Sequence, residues 1–247
     1  MRNIWTIAIR ELKAYFVSPV AYVVAILLLG VIGGIFAYVM LQIAGSMGQG
    51  SAPGVQVVTS PLIFIMVFTT PALTMRLLSE EQRLGTLELL LTTPVKEWEV
   101  VVGKWLGSFL FMLIVIAVSL IYPIILNQLV QPGIDQGVFI SSYLAILLIT
   151  AAFLGIGVAV SSLFSNQVAS YLVTFGILVF FWWLVGLFSR VAGVQTSQVY
   201  SFVDFSRLYY EVFSQGVIEL GGVIYFLSVT ALTLFLGTIS MEIRRWR

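Results

Sequence analysis

The chain has 247 residues, 60% of them hydrophobic and only 9% charged, with a mean hydropathy of +1.07 and a net charge of +1. Soluble domains carry about 25% charged residues, so the composition excludes an ordinary soluble domain and reads as a polytopic membrane protein; the small net charge argues against a nucleic-acid partner. Cysteine and histidine are both absent, which removes disulfides, thiol chemistry, His-dependent nucleophilic catalysis and His-ligated metal sites.

Residues 1–18 mix Arg2, Arg10, Glu11 and Lys13 with Ile4, Trp5, Ala8, Leu12, Tyr15 and Phe16. The apolar set recurs at helical spacing, and Trp and Tyr suit the headgroup region, so the stretch predicts an amphipathic helix lying on the membrane surface. The other reading is a cytosolic extension of the first span. Charges ahead of so long an apolar run also speak against a cleavable signal.

Six uncharged runs follow, at about residues 20–43, 55–75, 105–126, 138–164, 168–188 and 221–241. Each holds the roughly 20 residues that a helical span needs. The prediction is one all-α transmembrane domain over residues 1–247. Pro61 and Pro71 should kink or locally open the second span, since neither has a backbone donor. Gly30 with Gly34, and Gly103 with Gly107, have the spacing of close helix packing. Hydroxyls within the spans, among them Thr69, Thr74, Ser161 and Thr230, are expected to bond backbone carbonyls or neighbouring helices.

Between the second and third spans lies the only long charged interruption in the first two thirds of the chain, residues 76–99, RLLSEEQRLGTLELLLTTPVKEWE. Ser79 and Gln82 have capping-box spacing. Glu80 and Glu81 fall in a first helical turn, where the helix dipole favours negative charge. Leu84, Leu87, Leu90 and Leu91 make an apolar stripe, and Gly85 within it predicts a bend or a close backbone approach. The pair Thr93–Pro94 ends this helix and can start the next, with Thr93 as its cap. The segment is either a solvated helical loop or a docking helix.

Beyond a turn at residues 127–137 and a short join at 165–167, the stretch 190–219 carries Phe202, Phe205, Tyr209 and Phe213 at helical spacing among Asp204, Arg207 and Glu211. It reads as interfacial or re-entrant helices, or as an amphipathic loop helix packed on the bundle. Six spans put both termini on one side of the membrane. That side collects ten of the twelve Lys and Arg residues, and the other has only Arg190 and Arg207. The positive-inside rule places the termini and residues 76–99 in the cytoplasm.

The run SEEQRLGTLELLLTTPV, preceded by PALTMRLL and followed by GKWLG, resembles the membrane subunit of type-two ABC exporters, as does the stretch from Asp204 to Gly237. The likeness spans essentially the whole chain and is nearest to the gliding-motility and nitrous-oxide-reductase-maturation branch. It implies a permease in the inner membrane of a prokaryote. Residues 79–93 would be the coupling helix, with Glu80, Glu81, Leu84, Gly85, Thr86, Leu87, Glu88 and Leu91 meeting a separate ATPase subunit. Residues 1–18 would be an interfacial elbow helix, and re-entrant helices would lie near the exit. The second and fifth spans would line an interface with a second copy or a paralogue. ATP and Mg would sit on the partner ATPase, and an auxiliary extracytoplasmic subunit is a further partner; no cofactor is expected on this chain.

The residues agree with that division of labour. No GxxxxGK[ST] phosphate loop is present. The apolar runs lack the ionisable groups that ion-driven carriers keep at membrane depth. A transport subunit, a membrane scaffold and an ion-coupled carrier remain the three readings. The uncharged spans say nothing of the cargo, because the bilayer demands the same composition.

Overall fold

The structure, a computed structural model, describes residues 2–45, 53–85, 95–131, 133–191 and 203–245. Every regular element among them is helical. In chain order these are α1 (Arg2–Val17), α2 (Pro19–Gly45), α3 (Gln56–Thr74), α4 (Ser79–Arg83), α5 (Glu97–Ser119), α6 (Ile121–Leu129), α7 (Gln136–Leu163), α8 (Gln167–Val179), a π-helical turn (Phe180–Leu184) and α9 (Val185–Val191). After them come α10 (Phe205–Arg207), a second π-helical turn (Leu208–Val212), a 3-10 turn (Phe213–Gln215) and α11 (Leu220–Arg245). Among the described residues six stretches are long and apolar enough to cross a membrane: Pro19–Gly45, Gln56–Arg83, Glu97–Leu129, Gln136–Leu163, Gln167–Phe188 and Leu220–Ile243. The chain is therefore a multi-pass membrane protein.

The fourth span, α7, is the centre. Of its most apolar 18 residues 83% are buried, against 22% for each of the first, fifth and sixth spans. Its sequence carries small residues where neighbours come close. A Cβ on Gly155 would meet Thr233 Oγ1 of α11 at 2.5 Å, and one on Gly157 would collide with Thr74 of α3. Larger side chains at these positions would force the backbones apart, which is why small residues line packed membrane helices. Trp105 Nε1 of α5 donates to Ala151 O of α7 at 3.0 Å. The hydroxyls inside the spans mostly turn back on their own helices: Thr69 donates to Ile65 O at 3.1 Å, Thr174 to Ser170 O at 2.8 Å and Thr230 to Phe226 O at 2.8 Å.

The second span runs through both prolines and opens after Pro71. Helix α3 ends at Thr74, and residues 75–78 form turns before α4. The third span is broken at Leu120, for a reason visible in its sequence. Pro123 has no N–H for Ser119 O, and Tyr143 Oη lies 3.4 Å from that carbonyl. Next to it, Tyr122 Oη donates to Leu29 O of α2 at 3.0 Å. The third span also starts later than the Thr93–Pro94 pair predicts. Lys96 is still extended, its N–H donates to Glu99 Oε2 at 3.1 Å, and α5 begins at Glu97.

The two glycine pairs differ. Gly103 and Gly107 lie under α1: a Cβ on Gly103 would sit 2.8 Å from Ile7 Cβ, and one on Gly107 would sit 2.9 Å from Ala8 O. Gly30 and Gly34, expected to pack closely, border nothing within 4 Å. The contacting glycine of α2 is Gly33, on which a Cβ would sit 2.7 Å from the Tyr122 hydroxyl. Helix α1 thus rests along α5 on a buried face that includes Ile7, Ala8 and Tyr15, and the Tyr15 ring stacks on Phe111 at 5.1 Å.

At the other end of the bundle, residues 203–219 fold back onto the spans. Phe205, Tyr209 and Phe213 are fully buried. Phe205 stacks on Phe181 at 5.1 Å and meets Phe226 edge-on at 5.4 Å. Ser141 Oγ of α7 donates to Phe213 O at 2.6 Å, and Gln56 Nε2 of α3 to Ser214 O at 2.9 Å. Phe202 lies outside the described residues.

Candidate functional site

The charged end of the bundle brings together α1, α4, α5 and the last turn of α7. Its centre is Lys104, two turns into α5. The Gly103–Gly107 contact carries α1 so close that the Lys104 side chain is covered and only 2% exposed. A buried ammonium is costly unless paired. Lys104 Nζ lies 2.8 Å from Glu11 Oε1 of α1 and 2.9 Å from Glu81 Oε1 of α4. Arg10 approaches the same Glu11 oxygen at 3.6 Å from the solvent side. One cation therefore joins three helices. Along the same seam, Asn3 Nδ2 donates to Glu99 Oε2 at 3.1 Å. Tyr15 Oη lies 3.3 Å from Leu73 O of α3; burial, and then the nearby Glu11 carboxylate, push the Tyr15 phenol far above its ordinary pKa, so it stays protonated as a donor.

Helix α4 is fixed from its other side by α7. The backbone N–H groups of Leu78 and Ser79 donate to Ser161 Oγ at 3.0 and 3.1 Å. These are orphan donors at a helix start, capped by a side chain from another helix instead of the chain's own. Gln82 Nε2 donates to Ser162 O at 2.8 Å, and Ser240 Oγ of α11 reaches the same carbonyl at 3.1 Å. The expected capping box of Ser79 and Gln82 does not form. The Ser79 hydroxyl bonds Met75 O, and Gln82 spends its amide on carbonyls at the end of α7.

Glu80 and Glu81 occupy the first turn of α4, which is only five residues long. Gly85 has φ +69°, a left-handed backbone that terminates the helix at Arg83. Of the two expectations for Gly85 the bend is the one seen, with no neighbour within 4 Å of its missing Cβ. Leu84, just before the bend, is 61% exposed. Thr86, Leu87, Glu88 and Leu91 lie outside the described residues, as does the rest of 86–94.

Beside the ion-pair centre lies a cleft of about 300 Å³, lined on its polar side by Glu11, Tyr15, Arg76, Glu80, Glu81 and Lys104. Among the described residues no group of His, Cys, Asp or Glu side chains converges as a metal site. Lys104 and Ser161 are the anchors that sequence reading passes over, because one looks like a flanking positive charge and the other like a generic span hydroxyl. The signal for Lys104 was its place between Gly103 and Gly107, where whatever packs on the glycines must also cover the lysine.

A bundle of six spans with a short helix anchored at its charged end defines a polytopic membrane protein. The family model described as ABC-2 family transporter protein matches residues 5–241, and the chain belongs to that family of membrane permeases. Membership implies association with ABC ATPase subunits. No curated protein matches the sequence.

Proposed function

We propose that the chain is the transmembrane subunit of an ATP-driven exporter. It forms the translocation path with a second copy or a paralogue and draws its energy from separate ATPase subunits. The observation that supports this most is the double anchoring of α4: Glu81 to Lys104 at 2.9 Å on one side, and the Leu78 and Ser79 N–H groups to Ser161 Oγ on the other. A push on α4 is delivered to α1 and α5 through a buried ion pair and to the central helix α7 through a cap. A lever needs such anchors, and a solvated loop does not. The exposed Leu84 marks where an ATPase surface takes over, on the stripe that continues in Leu87 and Leu91. Covering each such side chain is worth roughly 1.5–3 kcal/mol.

The same reading puts residues 79–93 and both termini in the cytoplasm, makes α1 an interfacial elbow, and places the chain in the inner membrane. The likeness of residues 79–95 to the gliding-motility and nitrous-oxide-reductase-maturation branch supports that placement within the family. Phe64 of the second span, exposed beside Trp183 of the fifth at 5.6 Å, offers an aromatic surface suited to a second copy.

The test is a pair of variants, Leu84→Arg and Leu87→Arg, each of which buries an unpaired charge in an ATPase pocket. Both should abolish ATPase co-purification while the subunit alone melts normally. Lost stability of the isolated subunit with the ATPase contact intact would overturn the coupling assignment.

A further inference from the structure

We propose that the charged cleft beside α4 and an apolar groove adjoining it form one site for a phospholipid with a zwitterionic, primary-amine headgroup. The groove is a second cavity, of about 360 Å³, between α2, α3 and α8; Val23 and Leu27, Phe68, and Tyr171 line it. Thr69 also lines it, but its hydroxyl donates to Ile65 O of its own helix at 3.1 Å. Val20 and Ala72 line both cavities. The two spaces therefore share a wall, charged at one end and apolar at the other. Their junction lies beside Pro19, where α2 begins, at the first residue of a stretch apolar enough to cross a membrane. A charged cleft adjoining an apolar groove along the span has the polarity of a lipid, a charged head beside an apolar tail.

The charges select the headgroup. Three carboxylates (Glu11, Glu80, Glu81) and two cations (Arg76, Lys104) line the cleft. Lys104 is already shared by Glu11 and Glu81. Arg76 is exposed and makes no ion pair among the described residues. Its guanidinium offers a fork that matches a phosphodiester. With Arg10 at 3.6 Å from Glu11 Oε1 the carboxylates and cations of the cleft balance, so a net-neutral headgroup fits best, its phosphate at Arg76 and its ammonium at Glu80. A quaternary choline has no N–H to donate there. Phosphatidylethanolamine satisfies both requirements.

The site lies wholly within this chain and stands or falls independently of the ATPase contact. The test uses the purified full chain in detergent, without ATPase, exchanged into mixed micelles holding equal amounts of phosphatidylethanolamine, phosphatidylcholine and phosphatidylglycerol. Native mass spectrometry should show one retained phosphatidylethanolamine per chain, favoured about tenfold over the other two. Arg76→Glu and, through the shared wall, Ala72→Leu should each cut that retention about tenfold, while the lipid-free variants melt like the parent. Glu80→Gln should erase the preference for ethanolamine over choline. Glycerophosphoethanolamine, the same headgroup without chains, should leave the melting temperature unchanged. Equal retention of all three lipids, or retention indifferent to both Arg76→Glu and Ala72→Leu, would mean annular lipid only and overturn the site. Preference for phosphatidylglycerol would overturn the headgroup assignment. Stabilisation by the soluble headgroup would overturn the need for the groove. If no lipid is retained and Ala72→Leu shifts the chain between monomer and dimer, the groove belongs to a second copy.

Discussion

Lys104 Nζ stands 2.9 Å from Glu81 Oε1, and because Lys104 is only 2% exposed this pair fastens a helix of the bundle to the short helix at its edge. The same nitrogen holds Glu11 of α1 at 2.8 Å. Two carboxylates share one cation, so removing the lysine does more than delete a contact. It leaves two like charges facing each other in a half-closed space.

Lys104→Met should therefore destabilise the isolated subunit by about 2–3 kcal/mol, below the full cost of breaking a buried pair because Glu11 and Glu81 keep some solvent. Adding Glu11→Gln and Glu81→Gln to Lys104→Met should recover most of that loss. Thermal melts arranged as a mutant cycle measure it; strict additivity would show that the three side chains do not act as a unit.

Glycine replacements should separate the two pairs. Gly107→Leu drives a side chain into Ala8 and Glu11 and should cost about 1–3 kcal/mol as overpacking, with α1 becoming open to protease. Gly30→Ala meets open space and should be neutral or stabilising by up to about 1 kcal/mol, because alanine is the better helix former. An equal response at both positions would contradict the contact of α1 with α5.

Ser161→Ala removes the oxygen that accepts from the Leu78 and Ser79 N–H groups. Loss of a cap costs about 1 kcal/mol. Hydrogen exchange should quicken selectively over residues 78–83 while the rest of α7 stays protected. In the reconstituted complex, ATP hydrolysis should lose its dependence on the membrane subunit before assembly is lost. Unchanged exchange at these amides would remove Ser161 as an anchor.

Orientation can be read with thiols, because the chain has no cysteine of its own. Gln49→Cys and Gln136→Cys should react with an impermeant reagent in intact cells, and Thr92→Cys only after permeabilisation. The reverse pattern would invert the topology and remove residues 79–93 from the reach of a cytoplasmic ATPase.

The six spans, the amphipathic N-terminal helix and the break near Gly85 were legible in the sequence. Each depends on local properties: the length of an apolar run, a 3.6-residue period, a residue free to take positive φ. Which span is central was not legible. A residue facing lipid and a residue facing another helix meet equally apolar surroundings, so hydropathy is alike for α7 and for the exposed spans, and the small residues that admit neighbours decide between them only once the neighbours are in place. For the same reason Gly33 and the Gly30–Gly34 pair look alike in sequence, yet only Gly33 has Tyr122 against it. Gln82 had the spacing of a local cap, but tertiary packing offered it carbonyls at the end of α7, where the helix itself supplies no donor. Lys104 read as a charge at the membrane edge; the close approach of α1 over Gly103 and Gly107 buried it, and burial is what turned an ordinary lysine into the joint between three helices.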